Sequence, residues 1–239
     1  IMATRSGGIS ALFNRTTSNG DIVDFRKANT SVGSIGTQNG SDFFITGSAS
    51  IATGLRFQAN EIVPVNGSAG NVDAAIDIGK SNIRFKDAYL SGGVYLGGTG
   101  AANKLDDYET GTFAASIRDA ASGGNAQSIG TQYYTKIGNQ VTVWIARDNI
   151  TISGLTSNST FFITGLPFTS ASTITNVGSI WWQHWNTGNT HVVAPRISVN
   201  VSYIRFDELR DSNNDTGVQV SQLNNNISDI VVTITYQAA

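Results

Sequence analysis

Apolar and polar residues alternate along much of the chain with the period of two that β-strands require. In Val141–Ala146 every second residue is apolar and β-branched, and Ile230–Tyr236 has the same period. Apolar spacing at three and four residues is nowhere sustained for three turns, so no helix is predicted. The pattern predicts an all-β protein whose strands pack one face on a core.

Residues 1–104 differ from the rest of the chain in the length and spacing of their apolar clusters. Short apolar clusters recur about every ten residues, separated by turn formers such as Asn19-Gly20 and Asn39-Gly40. Strands of about three to five residues with two or three apolar side chains cannot close a core alone. We therefore expect copies of the chain to wind around each other as a trimeric shaft. The alternative is a small meandering β domain.

Residues 105–239 carry longer apolar runs, all four Trp and both His. The predicted strands are Thr112–Arg118, Gln132–Ile137, Gln140–Arg147, Ser159–Ile163, Ile174–Gln183, His191–Val193, Val199–Glu208, Gly217–Gln222 and Asp229–Tyr236. This number of strands, with Gly and Asn turns between them, is typical of a β-sandwich or jelly roll. We place a domain boundary near residue 104.

The amino-acid composition excludes several classes of binding partner and site. Of 239 residues, 98 are Gly, Ser, Thr or Asn, and only 13% are charged, with a net charge of −2. Nucleic-acid binding needs clustered Lys and Arg, and none is present. The absence of Cys excludes disulfides and thiolate metal sites, and no apolar run is long enough for a membrane helix. Because the chain starts at Ile1, we expect further residues upstream.

Several strings resemble the distal parts of bacteriophage tail-fibre proteins. They are Asn19–Lys27, Val32–Gly36, Ala74–Gly92, Leu105–Phe113, Tyr134–Val143 and Leu166–Phe168. The resemblance implies a homotrimer in the virion, with a β-rich shaft, a β-sandwich head and upstream residues that attach to other tail proteins. It also implies binding to a bacterial surface glycan or outer-membrane protein. It supplies no ligand residues, because it weakens after Phe168, where the head would contact its receptor.

The string Ile180–Trp185 is the most informative about ligand binding. On a strand, Trp181 and Trp185 would face one side and Trp182 the other. Exposed indoles suit sugar rings, whose C–H faces pack on π surfaces. We predict Trp185, at the end of its strand, to be the indole least needed by the core. The alternative is that these Trp residues fill a sheet centre or a trimer contact.

Further candidate ligand residues lie around two turns. His184 and His191 flank the turn after the Trp string, although two His without carboxylates do not make a zinc site. Asp207 and Asp211 belong to the second turn. In Asp211–Asp215 the possible oxygen ligands alternate as in a calcium loop. The sixth and twelfth positions counted from Asp211 lack the Gly and the Glu that such a loop requires, which favours a polar turn. We expect no metal and no cofactor.

An enzyme remains the alternative function. A tailspike-like glycan depolymerase would need two carboxyl groups across a cleft. Asp207 and Glu208 are adjacent, so on a strand they point oppositely, and catalysis would need another chain or a distant partner such as Asp119. A purely structural fibre module is a third possibility. A charged receptor group would be contacted by Arg147, Arg196 or Arg205; otherwise binding should be insensitive to salt.

Overall fold

The structure, a computed structural model, describes residues 4–49, 53–186, 192–209 and 216–239. Within these residues the only helical elements are two 3-10 turns, Ala101–Asn103 and Val220–Gln222. The predicted all-β class is confirmed. The chain divides into two compact units, Ile1–Ala88 and Tyr89–Ala239, so the division lies earlier than the boundary predicted near residue 104.

The first unit contains one antiparallel sheet whose strands follow each other in chain order. They are β1 (Gly20–Lys27), β2 (Thr30–Gln38), β3 (Asp42–Gly47), β4 (Gly54–Phe57) and β5 (Ile62–Val65). The first three are longer than the three to five residues expected. Phe44 and Arg56 are buried on one face of the sheet. Arg56 lies 3.5 Å from Asp42 (Nε to Oδ2) and donates to the carbonyl of Ala69.

The second unit opens with a two-stranded hairpin and continues as one ten-stranded antiparallel sheet. The hairpin strands are β6 (Val94–Tyr95) and β7 (Lys104–Leu105). The sheet strands are β8 (Tyr108–Arg118), β9 (Ala126–Ile137), β10 (Gln140–Arg147), β11 (Phe162–Thr164), β12 (Asn176–Val177), β13 (Ser179–Gln183), β14 (Val193–Ile197), β15 (Tyr203–Glu208), β16 (Thr216–Gly217) and β17 (Asp229–Gln237). Their order is β12-β14-β15-β11-β8-β9-β10-β17-β13, with β16 on β15.

The ten-stranded sheet is nearly closed because its first and last strands belong to one segment, residues 176–183. β12 pairs with β14 and β13 pairs with β17. Gly178 lies between them, and its N–H donates to Pro195 at 3.0 Å. A Cβ on Gly178 would collide with the backbone of Thr233 and with Ile234. A glycine is therefore required where the segment passes from one partner strand to the other.

The core of the second unit is formed by the inward residues of this curved sheet. Its largest fully buried side chains include Phe161, Phe206 and Tyr236. The Tyr236 hydroxyl donates to the carbonyl of Phe168 at 2.9 Å, which satisfies the one polar group of that ring. Burial raises the pKa of Tyr236 to about 12. Because alternate residues of each strand fill this core, the residues between them lie on the outer face of the sheet.

Candidate functional site

Four large side chains lie exposed on the outer face of neighbouring strands in the second unit. We call Tyr133, Trp144, Trp181 and Val231 the outer aromatic surface; they are between 41 and 62% exposed. Tyr133 of β9 lies directly opposite Trp144 of β10, and Trp181 of β13 lies opposite Val231 of β17. β10 and β17 are themselves paired. These side chains therefore form one surface that crosses four hydrogen-bonded strands.

The outward position of Trp144 follows from the inward positions of its neighbours. Val143 and Ile145, on either side of it, are fully buried. Since side chains alternate along a strand, Trp144 must face out. The sequence alternation already contained this signal, although Trp144 and Tyr133 were absent from the predicted ligand set.

The three Trp residues of the 180–185 string divide differently from the prediction. Trp181 faces out, as alternation requires, and Trp182 packs against the core. His184 has a left-handed backbone, with φ of 60°, which interrupts the alternation. Trp185 is therefore turned to the same side as Trp182, with their ring centroids 6.4 Å apart.

Trp185 is part of the core packing, so the prediction that the core needs it least is wrong. Its ring lies edge to face with two Phe rings, with centroid distances of 5.5 Å to Phe161 and 6.1 Å to Phe206. Its Nε1 donates to the carbonyl of Asp229 at 3.2 Å. An indole held by these contacts is not presented to a ligand as Trp181 is.

His184 lies just after β13, and its side chain is about half exposed. Its Nδ1 is 3.8 Å from Oδ2 of Asp229, and its carbonyl accepts hydrogen bonds from Asn224 and Ser228. These bonds hold the backbone where alternation breaks. His191 lies outside the described residues, so its approach to His184 stays a prediction.

Asp207 is buried between two arginines on the outer face of β14 and β15. Arg196 and Arg205 occupy directly opposite positions on these strands. Each Nε lies 2.6 Å from a different carboxylate oxygen of Asp207. Asp207 lines a cavity of about 410 Å³ together with Arg196, Arg205, Val177, Ala194 and Leu209. Asp211, its predicted neighbour in the ligand set, lies outside the described residues.

The acidic residues considered for catalysis are separated by the fold. Asp207 faces outward, whereas Glu208 is buried on the core side, where its carboxylate accepts from the Gln222 amide. Asp119 accepts hydrogen bonds from Asn125 and from the Thr156 N–H at 2.7 to 2.9 Å. These donors hold the pKa of Asp119 well below its usual range. Asp119 therefore ties two loops together, and the adjacent pair does not flank one cleft.

Across the described ranges, no group of three or more His, Asp or Glu side chains is arranged to hold a metal ion. Among the same residues, no helix has the length and hydrophobicity to cross a membrane. Compared with known protein families and with curated proteins, the chain matches none of them.

Proposed function

We propose that the chain is the distal part of a homotrimeric bacteriophage tail fibre, whose second unit binds a saccharide of the bacterial surface. The observation that carries this proposal is the outer aromatic surface. Large apolar patches that remain exposed on a folded domain are typical of interaction sites. The tail-fibre resemblance of the strings between Asn19 and Phe168 supports the biological setting.

The chemistry of this surface suits a sugar. The faces of Trp144 and Trp181 offer π surfaces on which the C–H groups of a pyranose ring pack. Hydroxyl donors and acceptors lie on the same strands, including Thr142 and Thr235, whose hydroxyl oxygens are 2.8 Å apart. Because strands hold these groups in place, little conformational entropy is lost on binding.

The homotrimer is supported by an exposed apolar face on the sheet of the first unit. This face is formed by Phe43, Ile45, Leu55, Phe57 and Ile62, which are 37 to 63% exposed. Phe43 lies directly opposite Phe57, and Ile45 lies opposite Leu55. Covering five such half-exposed side chains would contribute roughly 5 kcal/mol per chain, at about 1 kcal/mol each.

A second run of exposed apolar residues follows along the chain. It comprises Ile78, Ile83, Phe85, Tyr89, Leu90, Tyr95 and Leu96, of which Tyr89 is 92% exposed. Monomeric proteins rarely leave so many large apolar side chains in water. We therefore expect other copies of the chain to cover them.

The oligomeric state is tested by light scattering of the full chain. Three chains of 25.3 kDa give an expected mass near 76 kDa. The double variant Phe43→Asp/Leu55→Asp introduces charges on the apolar face and should lower the mass, whereas Asp24→Ser, at an exposed position of β1, should not. A monomeric mass for the unaltered protein would refute the trimer.

Receptor binding is tested by staining a panel of bacterial strains with fluorescent full-length protein. Trp144→Ala and Trp181→Ala should each reduce staining of a bound strain about tenfold, which corresponds to about 1.4 kcal/mol. Tyr108→Ala serves as a control, because Tyr108 is an exposed aromatic residue outside the surface.

The same variants separate binding from assembly. If Trp144→Ala and Trp181→Ala lower the trimer mass and leave staining per trimer unchanged, the surface is a subunit contact and its role in binding is refuted. Shortened glycan chains after incubation of a bound strain's purified surface polysaccharide would instead identify the depolymerase. Failure to stain any strain of the panel would favour the structural module.

A further inference from the structure

Two positively charged side chains occupy directly opposed positions on β14 and β15. Like charges at opposed positions destabilise a sheet unless something compensates them. Among the residues that the structure describes, Arg196 and Arg205 share one compensating group, the carboxylate of Asp207, with Nε to oxygen distances of 2.6 Å. The three groups therefore carry a net charge of +1.

The donors of this cluster are not exhausted by Asp207. Each guanidinium has five N–H donors, of which Nε supplies one. Among the described residues, Asp207 is the only carboxylate paired with either arginine. In the same ranges, both Nε atoms and Oδ1 of Asp207 are buried without an aligned hydrogen bond. The two arginine side chains are 35% exposed, so their outer nitrogens remain open to a partner.

The surroundings of the cluster match a sugar that carries an anionic group. Val177, Ala194 and Leu209 provide apolar walls to the cavity of about 410 Å³. An apolar wall receives the C–H groups of a sugar ring, and two planar guanidinium groups receive a carboxylate or phosphate.

This cavity and the outer aromatic surface are connected along one segment of chain. Val177 lines the cavity, and Trp181 lies four residues further, which is about 13 Å along a strand. Val177, Ser179 and Trp181 all face outward between inward-facing residues. One oligosaccharide can therefore contact both.

We infer that the Arg196–Arg205–Asp207 cavity is an anion-binding subsite, which takes the carboxylate or phosphate of an acidic saccharide. The saccharide part of this inference rests on the proposed function. The anion part does not, because it follows from the charge and geometry of the three side chains.

Titration calorimetry on the full chain tests the subsite with four probes: inorganic phosphate, glucose 6-phosphate, glucuronate and glucose. At least one anion should saturate with a Kd on the order of 1 mM at low salt, and glucose should not. Preference for glucuronate identifies a carboxylate ligand, and preference for the two phosphates identifies a phosphate ligand. If no anion saturates below about 100 mM, the inference is overturned.

Matched variants locate the binding. Arg196→Gln and Arg205→Gln should each weaken anion binding about tenfold. Arg84→Gln removes the same charge from an exposed side chain outside the cavity and should leave binding unchanged. Equal losses in all three variants would show that only overall charge matters, which would refute a defined site.

Because an arginine variant could fail to fold, Asp207→Asn provides an independent readout. It leaves two uncompensated cations, so its melting temperature should be lower than that of the unaltered protein. The anion that binds most tightly in the calorimetry should then raise the melting temperature of Asp207→Asn more than that of the unaltered protein, at equal ionic strength, because the bound anion replaces the lost charge. An equal rise in both proteins, or no rise in either, would contradict the inference.

The results also distinguish the subsite from the proposed function. If an anion binds in the cavity but the protein stains no bacterium, the subsite stands and receptor binding fails. If staining depends on Trp144 and Trp181 but no anion binds, receptor binding stands and the subsite fails.

Discussion

Replacing Trp185 by Ala should destabilise the second unit strongly, whereas replacing Trp181 should not. Trp185 contributes edge-to-face contacts with Phe161 and Phe206, each of about 0.5 kcal/mol, and one hydrogen bond of about 1 kcal/mol. Part of its transfer free energy is lost as well. We expect Trp185→Ala to cost about 3 kcal/mol, at the low end for buried aromatic residues because the ring is only half-buried.

The exposed indole of Trp181 contributes less to the free energy of unfolding than that of Trp185. Its removal should cost about 1 kcal/mol or less. In differential scanning calorimetry, a domain of this size loses roughly 2 to 4 °C per kcal/mol, so Trp185→Ala should melt about 6 to 12 °C lower. Trp181→Ala should stay within about 4 °C by the same scaling.

Trp185→Phe provides the intermediate case. It keeps an aromatic ring against Phe161 but removes the Nε1 donor to the Asp229 carbonyl. Its loss should lie between those of the two Ala variants. If Trp185→Ala melts no lower than Trp181→Ala, the left-handed turn at His184 does not direct Trp185 into the core, and the assignment of the two indoles must be exchanged.

Three further predictions concern ionisable groups. Because the pKa of Asp119 is lowered in the folded state, its carboxylate stabilises the fold at neutral pH, and this contribution should decline as the pH falls below about 4. The urea concentration at the unfolding midpoint should therefore change less between pH 7 and pH 3 in Asp119→Asn than in the unaltered protein. Because burial raises the pKa of Tyr236, its neutral hydroxyl contributes fully to stability below about pH 10, and this contribution is lost as the pH rises towards 12. The melting temperature of Tyr236→Phe should therefore change less between about pH 9 and pH 12 than that of the unaltered protein. Arg56→Ala removes a buried guanidinium and leaves the half-buried carboxylate of Asp42 with the Asn39 amide but without its ionic partner, so it should cost about 2 kcal/mol in urea unfolding of the first unit.

Each of these predictions has a clear contrary result. Unchanged acid sensitivity in Asp119→Asn would mean that other carboxylates dominate. Unchanged alkaline sensitivity in Tyr236→Phe would mean that the Tyr236 hydroxyl ionises without unfolding. A stability of Arg56→Ala within about 0.5 kcal/mol of the unaltered protein would show that Asp42 gains water when the arginine is removed.

The strands with regular alternation were predictable from the sequence. The predicted strand Gln140–Arg147 has the observed bounds, and the predicted Asp229–Tyr236 is one residue shorter than β17. Both owe this to uninterrupted apolar residues at every second position. The outward position of Trp144 was available from the same pattern.

The features that could not be predicted depend on backbone exceptions and on register. No rule of alternation anticipates a non-glycine residue with positive φ, so the orientation of Trp185 beyond His184 was missed. The arginine cluster requires Arg196 to lie opposite Arg205, which depends on how β14 pairs with β15. Sequence separation alone therefore does not identify Arg196, Arg205 and Asp207 as a cluster.

The segment 176–183, which pairs with both β14 and β17, has a consequence for how copies of this protein meet at high concentration. A sheet with a long open side offers unpaired N–H and C=O groups that can recruit a strand from another molecule and begin aggregation. Here one stretch of chain pairs with both flanks of the ten-stranded sheet. Crowded second units should therefore meet through their side chains rather than by the addition of strands.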